Sequence, residues 1–212
     1  MSKKLVRSLL PIAFVMFAGA SLSQAQTGLD VFVGVGTAQD SSSGAQIDTY
    51  GTGNPFTTPA LAGVFGRVGA DYMFRPWIGA GAETDWRFSQ GGYAGLGYRP
   101  LFYDFNVVFT PTAGKNRRIV PEFQAGIGGT KLSFFENATY CDAFAGCSSS
   151  NAEVESSNHF QTHLSAGIRF YATRHLFIRP QIDAHYVDNF FQFGSNWVPE
   201  YGASVGWSFG ER

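Results

Sequence analysis

The chain has 212 residues, a formal net charge of −1, 26 glycines and an aromatic content of 16%, with 21 phenylalanines. A near-neutral charge argues against a nucleic-acid partner, and no segment after the N-terminal leader has the run of about 18 apolar residues that a membrane-spanning helix needs. The composition is that of an all-β protein rich in aromatic side chains.

The first 25 residues have the composition of a secretory signal peptide. Lys3, Lys4 and Arg7 form a basic start, residues 9–20 form an apolar run, and Ser23-Gln24-Ala25 is a small-x-small cleavage site. We therefore expect residues 1–25 to be removed on export and residues 26–212 to form a single domain.

Eight segments of the mature chain alternate apolar and polar residues with the period of two that is typical of a β-strand. The clearest alternation runs from Ile178 to Tyr186, where isoleucine, proline, alanine and tyrosine occupy one face and Arg179, Gln181, Asp183 and His185 the other. In chain order the eight segments are residues 29–36, 64–74, 78–88, 101–109, 119–130, 161–170, 178–186 and 200–209.

The connections between these segments alternate in length. Long connections at residues 38–60, 89–98, 133–158 and 188–199 alternate with short ones at 75–76, 110–118 and 172–176. Outer-membrane barrels have long extracellular loops, short periplasmic turns and an apolar outer face. The pattern predicts an eight-stranded antiparallel up-and-down transmembrane β-barrel. We expect a non-enzymatic structural or surface role, with the extracellular loops as the possible recognition elements. The first and third long connections, rich in Ser, Gly, Thr and Asn, are the best candidates, although their composition equally fits mobile, unspecialised coils, which we favour.

Aromatic residues cluster near both ends of the predicted strands, as in the two interfacial girdles of a membrane barrel. The periplasmic girdle is predicted to contain Tyr72, Phe74, Trp77, Phe109, Phe123, Phe170, Phe177, Trp207 and Phe209. The extracellular girdle is predicted to contain Trp86, Phe88, Tyr98, Phe160, Tyr186 and Tyr201.

The last predicted strand carries the most specific motif. Glu200-Tyr201-Gly202-Ala203-Ser204-Val205-Gly206-Trp207 reads polar-x-Gly-x-x-apolar-x-apolar, and Phe209 prolongs the apolar row. With the strand pattern, this resembles the small outer-membrane barrels of the OmpA-like and OmpX-like family, without a peptidoglycan-binding domain.

The resemblance implies that Glu200, Gly202, Val205, Trp207 and Phe209 form a β-signal read by the barrel assembly machinery. It also implies residence in the bacterial outer membrane, contact with membrane lipid and lipopolysaccharide, and a monomeric barrel.

The polar faces of the strands predict the content of the barrel interior. An eight-stranded barrel is filled by its own side chains, and charges removed from water must be paired. We therefore predict a structural ion-pair network in place of an open channel, while a narrow pore stays open as an alternative. Its members are Arg67, Asp71, Glu83, Asp85, Arg87, Asp104, Glu122, Arg169, Arg179 and Asp183.

Two features raise the question of chemistry. His163 and Ser165 have the His-x-Ser spacing of outer-membrane lipid A deacylases, which leaves a lipid A-modifying enzyme as a second alternative. Because alternation directs both side chains into the lumen, away from lipid, we predict no catalytic site. We also predict no cofactor and no metal site, and we expect His185 to be a hydrogen-bonding lumen residue.

Cys141 and Cys147 lie in the longest connection of an exported chain. An oxidising compartment and a short separation favour a disulfide between them over a metal site.

Overall fold

The computed structural model describes residues 28–40, 44–48, 51–93, 96–111, 118–142, 146–190 and 193–210. The predicted signal peptide at residues 1–25 lies outside the described residues. Within the described ranges there is no helix long and apolar enough to cross a membrane.

The secondary structure of the described chain consists of β-strands. In chain order they are β1 (Gly28–Ala38), β2 (Gln46–Ile47), β3 (Phe56–Thr57), β4 (Phe65–Arg75), β5 (Ile78–Arg87), β6 (Gly91–Tyr93), β7 (Leu96–Phe109), β8 (Ile119–Asp142), β9 (Gly146–Tyr171), β10 (Leu176–Val187) and β11 (Trp197–Ser208). β2 and β3 pair only with each other, and β6 folds back on the start of β7.

The other eight strands close into an antiparallel up-and-down barrel. Each pairs with its sequence neighbours in the set, β5 pairs with β7, and the first strand meets the last, with Asp30 opposite Ser208. We call the end with residues 76–77, 110–111, 118 and 172–175 the turn end, and the opposite end the loop end. The predicted fold class is confirmed.

The barrel wall has an apolar outer face and a polar inner face. Side chains in the middle of the strands are largely exposed on the outside, including Val33 at 61%, Phe105 at 66% and Ile127 at 57%, whereas inner-face residues such as Arg67 and Arg169 are fully buried. A soluble protein would not present so continuous an apolar surface to water, but this is the arrangement of a barrel surrounded by lipid.

Two predicted girdle residues point the other way. Tyr98 and Phe177 are fully buried inside the barrel, so their assignment to the aromatic girdles is wrong. Phe177 is two residues from Arg179, so the period-2 rule places both on the inner face. Other predicted members, among them Tyr72, Trp77, Phe160 and Trp207, are exposed on the outer surface.

The longest predicted coil is a β-hairpin. β8 and β9 pair from Ile119 opposite Phe170 to Asp142 opposite Gly146, so residues 133–158 are strand almost throughout. Pairing of β8 with β7 ends at Phe135, so the hairpin extends about 20 Å further, at about 3.4 Å per residue. The side chains of residues 146–158 are mostly exposed on both faces, so this part of β9 lacks the alternation that would have revealed a strand.

Candidate functional site

The inner face of β10 passes through every layer of the barrel interior. From the turn end it presents Phe177, Arg179, Gln181, Asp183, His185 and Val187, all buried. The order is apolar, then charged and polar, then apolar. The lumen is therefore a charged centre between two apolar layers.

The turn-end cluster consists of Asp30, Asp71, Glu122, Arg169 and Arg179. Arg169 donates to all three of its carboxylates, with Nη2 2.7 Å from Asp71 Oδ2, and Arg179 Nη1 lies 3.0 Å from Glu122 Oε1. Both guanidinium groups also lie over aromatic rings, and Cζ of Arg179 is 3.7 Å from the centroid of Phe32. Planar, permanently charged groups suit such multiple pairing at a site buried from solvent.

Glu83 connects this cluster to the next one. It accepts from Arg179 Nη2 at 2.8 Å and lies 2.9 Å from Arg67 Nε. The charged residues thus form one continuous chain through the barrel.

The loop-end cluster is built around Arg67 and two histidines, and it consists of Arg67, Asp85, Asp104, His163, Asp183, His185 and Glu200. Nη2 of Arg67 donates to Asp183 at 2.8 Å and to Glu200 at 2.7 Å, and its Nε donates to Asp85. One guanidinium group therefore pairs with carboxylates from three different strands.

The two histidines differ in how completely they are hydrogen-bonded. His163 lies between Asn106 Oδ1, 2.8 Å from its Nδ1, and Asp183 Oδ1, 3.2 Å from its Nε2. The rings of His163 and His185 stack at 4.7 Å. Among the described residues, neither ring nitrogen of His185 has a hydrogen-bond partner, so the structure does not give His185 the hydrogen bond expected from the sequence.

An apolar cap closes the loop end. Its buried members are Ala38, Leu61, Phe65, Tyr98, Phe102, Leu132, Val187, Phe190, Phe193 and Val198. Leu61, Phe190 and Phe193 come from the connections between strands, and the rings of the two phenylalanines stack at 4.3 Å. These connections therefore fold into the barrel mouth instead of lying free in solvent.

An apolar floor lies at the turn end, formed by Phe32, Val120, Tyr171 and Phe177. With the apolar cap it encloses the charged centre from both sides. Neither layer was predicted from the sequence, since parity indicates which side chains point inward but not how they stack.

The structure brings nine of the ten predicted network residues into contact with other members of the two clusters, and it adds Asp30 and Glu200. Both additions lie on the inner face by strand parity, which could have identified them. Arg87 lies higher instead, in the cap, where it donates to the Ala60 carbonyl at 3.2 Å and lies 3.3 Å from the Tyr98 hydroxyl.

The residues of the predicted β-signal occupy the strand that completes the barrel. Glu200 and Gly202 are on the inner face, while Val205, Trp207 and Phe209 are exposed on the outer face. β11 pairs with both β10 and β1 along its length.

His163 and Ser165 are both buried inside the barrel. A lipid substrate lies outside the wall, so these side chains cannot meet it without opening the sheet. The disulfide predicted between Cys141 and Cys147 is present at the tip of the β8–β9 hairpin.

Solved structures similar to this chain are small outer-membrane barrels. A major outer membrane protein of Thermus thermophilus has a TM-score of 0.54 at 11% identity, covering 86% of this chain and 99% of that one. OprG of Pseudomonas aeruginosa has a TM-score of 0.53 at 13% identity, covering 88% and 97%. Ail, the attachment invasion locus protein of Yersinia pestis in complex with the heparin analogue sucrose octasulfate, has a TM-score of 0.52 at 14% identity, covering 87% and 99%.

The fold is that of a small outer-membrane β-barrel. At these identities the likeness concerns the fold alone. No protein-family model matches the chain, and no curated protein matches it.

Proposed function

We propose that this protein is a non-enzymatic barrel of the bacterial outer membrane whose role is to hold a disulfide-closed hairpin at the cell surface. One observation carries the proposal: an apolar outer wall surrounds a lumen that is filled and closed at both ends. Such a barrel serves as an anchor, with recognition left to the parts that project from it.

The outer wall supports the location. Exposed Val33, Phe105 and Leu164 belong to an apolar belt around the strand middles, and aromatic residues occupy both of its edges. The partners of this surface are outer-membrane lipid and lipopolysaccharide.

The interior supports the absence of a conducting path. An ion passing through would have to cross the apolar cap, a continuous set of ion pairs and the apolar floor. Each buried ion pair broken on the way leaves a charge without its partner, at a cost of about 3–5 kcal/mol. We therefore favour the closed barrel over a narrow pore, and the burial of His163 and Ser165 disfavours lipid A chemistry.

The hairpin is the best candidate for surface recognition. It extends beyond the neighbouring strands and carries the exposed acidic side chains of Glu136, Glu153 and Glu155. Ail was crystallised with a sulfated heparin analogue, but an acidic hairpin repels polyanions. We infer a neutral or basic partner here.

The closed sheet supports assembly as a monomer. In the described structure every barrel strand pairs on both sides, which leaves no free barrel edge for a second copy. The motif from Glu200 to Phe209, on the strand that completes the barrel, is the proposed recognition element for the assembly machinery.

Membrane fractionation combined with electrophoresis of heated and unheated samples tests the anchor. We expect the protein in the outer-membrane fraction, with unheated material migrating differently from heated material. Recovery in the soluble periplasmic fraction would contradict the proposal.

Planar bilayer recordings test the closed lumen. We expect no discrete conductance steps after repeated insertion of folded protein. A unitary conductance that survives further purification would favour the narrow pore instead.

A further inference from the structure

One buried imidazole in the lumen, that of His185, lies between two carboxylates without a hydrogen bond to either. His185 is 1% exposed, and neither of its ring nitrogens has a hydrogen-bond partner among the described residues. Leaving a buried polar group unsatisfied costs about 1–3 kcal/mol. The unpartnered nitrogens of His185 therefore need an explanation that the ion-pair network does not supply.

The Nδ1 sides of both histidine rings face β7. Nδ1 of His185 lies 3.7 Å from Asp104 Oδ2, and Nδ1 of His163 lies 2.8 Å from Asn106 Oδ1. Asp104, His163 and His185 can each offer one ligand atom in a group whose atoms lie within 4.8 Å of one another. Two imidazole nitrogens and a carboxylate oxygen thus converge in one buried space.

The Nε2 sides of the same rings face carboxylates. Nε2 of His163 is 3.2 Å from Asp183 Oδ1, and Nε2 of His185 is 3.6 Å from Glu200 Oε2. Histidines that bind a metal commonly donate their other ring N–H to a carboxylate, which fixes the ring and its tautomer. His163 has that arrangement with Asp183, whereas Glu200 lies just beyond hydrogen-bond distance of His185.

The charge of the lumen also favours a cation. Among the described residues, the carboxylates of the two clusters and of Glu83 between them outnumber the guanidinium groups: Asp30, Asp71, Glu83, Asp85, Asp104, Glu122, Asp183 and Glu200 face Arg67, Arg169 and Arg179. A divalent ion beside Asp104 would offset part of this excess.

We propose that the loop-end cluster binds a divalent transition-metal ion, with zinc as the best fit. Asp104, His163 and His185 are the ligands, Asn106 Oδ1 is the fourth ligand atom, and Asp183 and Glu200 orient the imidazoles. Imidazole donors favour zinc and its neighbours over calcium and magnesium, which prefer oxygen ligands throughout. The sequence alone led us to expect no metal site, because these residues come from three strands with no recognisable spacing.

The geometry requires only a modest contraction. Zinc–ligand distances of about 2.0–2.1 Å place tetrahedral ligand atoms about 3.4 Å apart, so ligand atoms up to 4.8 Å apart must close by up to about 1.4 Å. Asn106 Oδ1 and His163 Nδ1, now 2.8 Å apart, must separate by about 0.6 Å. Rotation of the two stacked rings toward β7 supplies that movement. Gly126 lies opposite both Asn106 and His163, and a side chain there would overlap the Asn106 amide. The glycine therefore leaves the space that the Asn106 side chain occupies beside His163.

The site lies beneath the apolar cap, with Phe102 stacked on His185 at 5.0 Å. We therefore expect the ion to enter as the barrel folds.

The full chain is refolded into detergent micelles with zinc chloride or with a chelator, and folding is verified by the heat-dependent gel shift. Both samples are freed of loose metal on a sizing column containing a weak chelator, and bound zinc is measured by mass spectrometry. We expect about one zinc ion per folded chain after refolding with zinc.

His185→Ala and Asp104→Asn test the ligands, and His175→Ala is the matched control, since His175 lies in an exposed turn between β9 and β10. We expect bound zinc to fall at least about tenfold in both ligand variants and to stay unchanged in the control. Folded wild-type protein without zinc, or ligand variants that retain it, would overturn the proposal.

Refolding with cobalt provides a second readout that does not depend on any variant folding. Tetrahedral cobalt bound by two imidazoles absorbs visible light strongly, whereas hydrated cobalt absorbs weakly. We expect the strong absorption in wild-type protein and its disappearance when zinc is present in excess. Only the weak spectrum of hydrated cobalt would count against the site.

Discussion

The two ends of the lumen solve the same problem with different chemistry. At the turn end, Arg169 and Arg179 bind their carboxylates directly and lie against aromatic rings. At the loop end a single arginine, Arg67, lies beside two stacked imidazoles under a cap supplied by loops, and one of them, His185, has no hydrogen-bond partner among the described residues. The turn end is held by ion pairs of permanently charged side chains, whereas the loop end also contains an imidazole, that of His185, whose nitrogens are free, in the part of the chain that the structure describes, to bind a ligand.

The difference follows from the side chains themselves. A guanidinium group keeps its charge under all physiological conditions and presents a planar set of donors. An imidazole changes its charge near neutral pH and also binds metals. His163 and His185 stack on each other at the loop end, so the two ends of the lumen differ in whether they contain groups of this kind.

Arg169→Met should have the largest effect, because it removes the guanidinium group that pairs with Asp30, Asp71 and Glu122. Three buried carboxylates then lose a partner, and we expect a loss of about 3–5 kcal/mol in the free energy of unfolding, or failure to fold. Urea titration followed by the heat-dependent gel shift measures it. Arg99→Met, at an exposed position outside the lumen, should change little. Equal losses of unfolding free energy in Arg169→Met and Arg99→Met would show that the lumen arginine stabilises the fold no more than a surface arginine does.

Phe190→Ser combined with Phe193→Ser removes the aromatic pair of the apolar cap. We expect a loss of about 3 kcal/mol for the pair, below the sum of about 3–5 kcal/mol for each phenylalanine in an enclosed core, because water can enter the barrel mouth. Amide hydrogen exchange should rise at Val187 and Val198, while planar bilayers should stay silent because the ion pairs and the floor remain. Conductance in this variant would mean that the cap alone closes the barrel.

The sequence indicated the barrel much better than it indicated the cap. Strand parity correctly placed Arg67, Glu83 and Asp183 inside, since a polar face on every strand is a strong periodic signal. Phe190 and Phe193 lie in a connection without periodicity, so nothing local showed that they fold inward. The two misassigned girdle residues have a different origin, because aromatic residues near a strand end satisfy both the girdle pattern and the lumen pattern.

The inward direction of most loop-end cluster side chains was predicted, but their bonding was not. Asp104 and His185 were placed on inner faces, yet their contact depends on the shear of the barrel, which brings together residues far apart in the chain. Asp30 and Glu200 were missed as network members, although the alternation of their strands places both on the inner face. Pairing partners inside a barrel thus require the closed structure.

His185→Leu separates the two ends most sharply. In a chelator we expect a change in unfolding free energy within about 1 kcal/mol, because an apolar residue of similar volume replaces a ring with unpartnered nitrogens. Urea titration beside Arg169→Met compares the two directly. A loss as large as that of Arg169→Met would make the histidine a structural partner and would end the contrast between the two halves.

The smallest effect on the barrel should come from the hairpin tip. Cys141→Ser with Cys147→Ser removes a cross-link that closes a short loop and contributes about 2 kcal/mol to the order of the hairpin itself. Because the tip pairs with neither β7 nor β10, the unfolding midpoint of the barrel should stay the same while limited proteolysis cuts the hairpin faster. Ser148→Ala is the matched control beside the disulfide, and it should alter neither measurement. A lowered barrel midpoint would show that hairpin and wall unfold as one unit, in which case the tip could not vary in sequence without a loss of barrel stability.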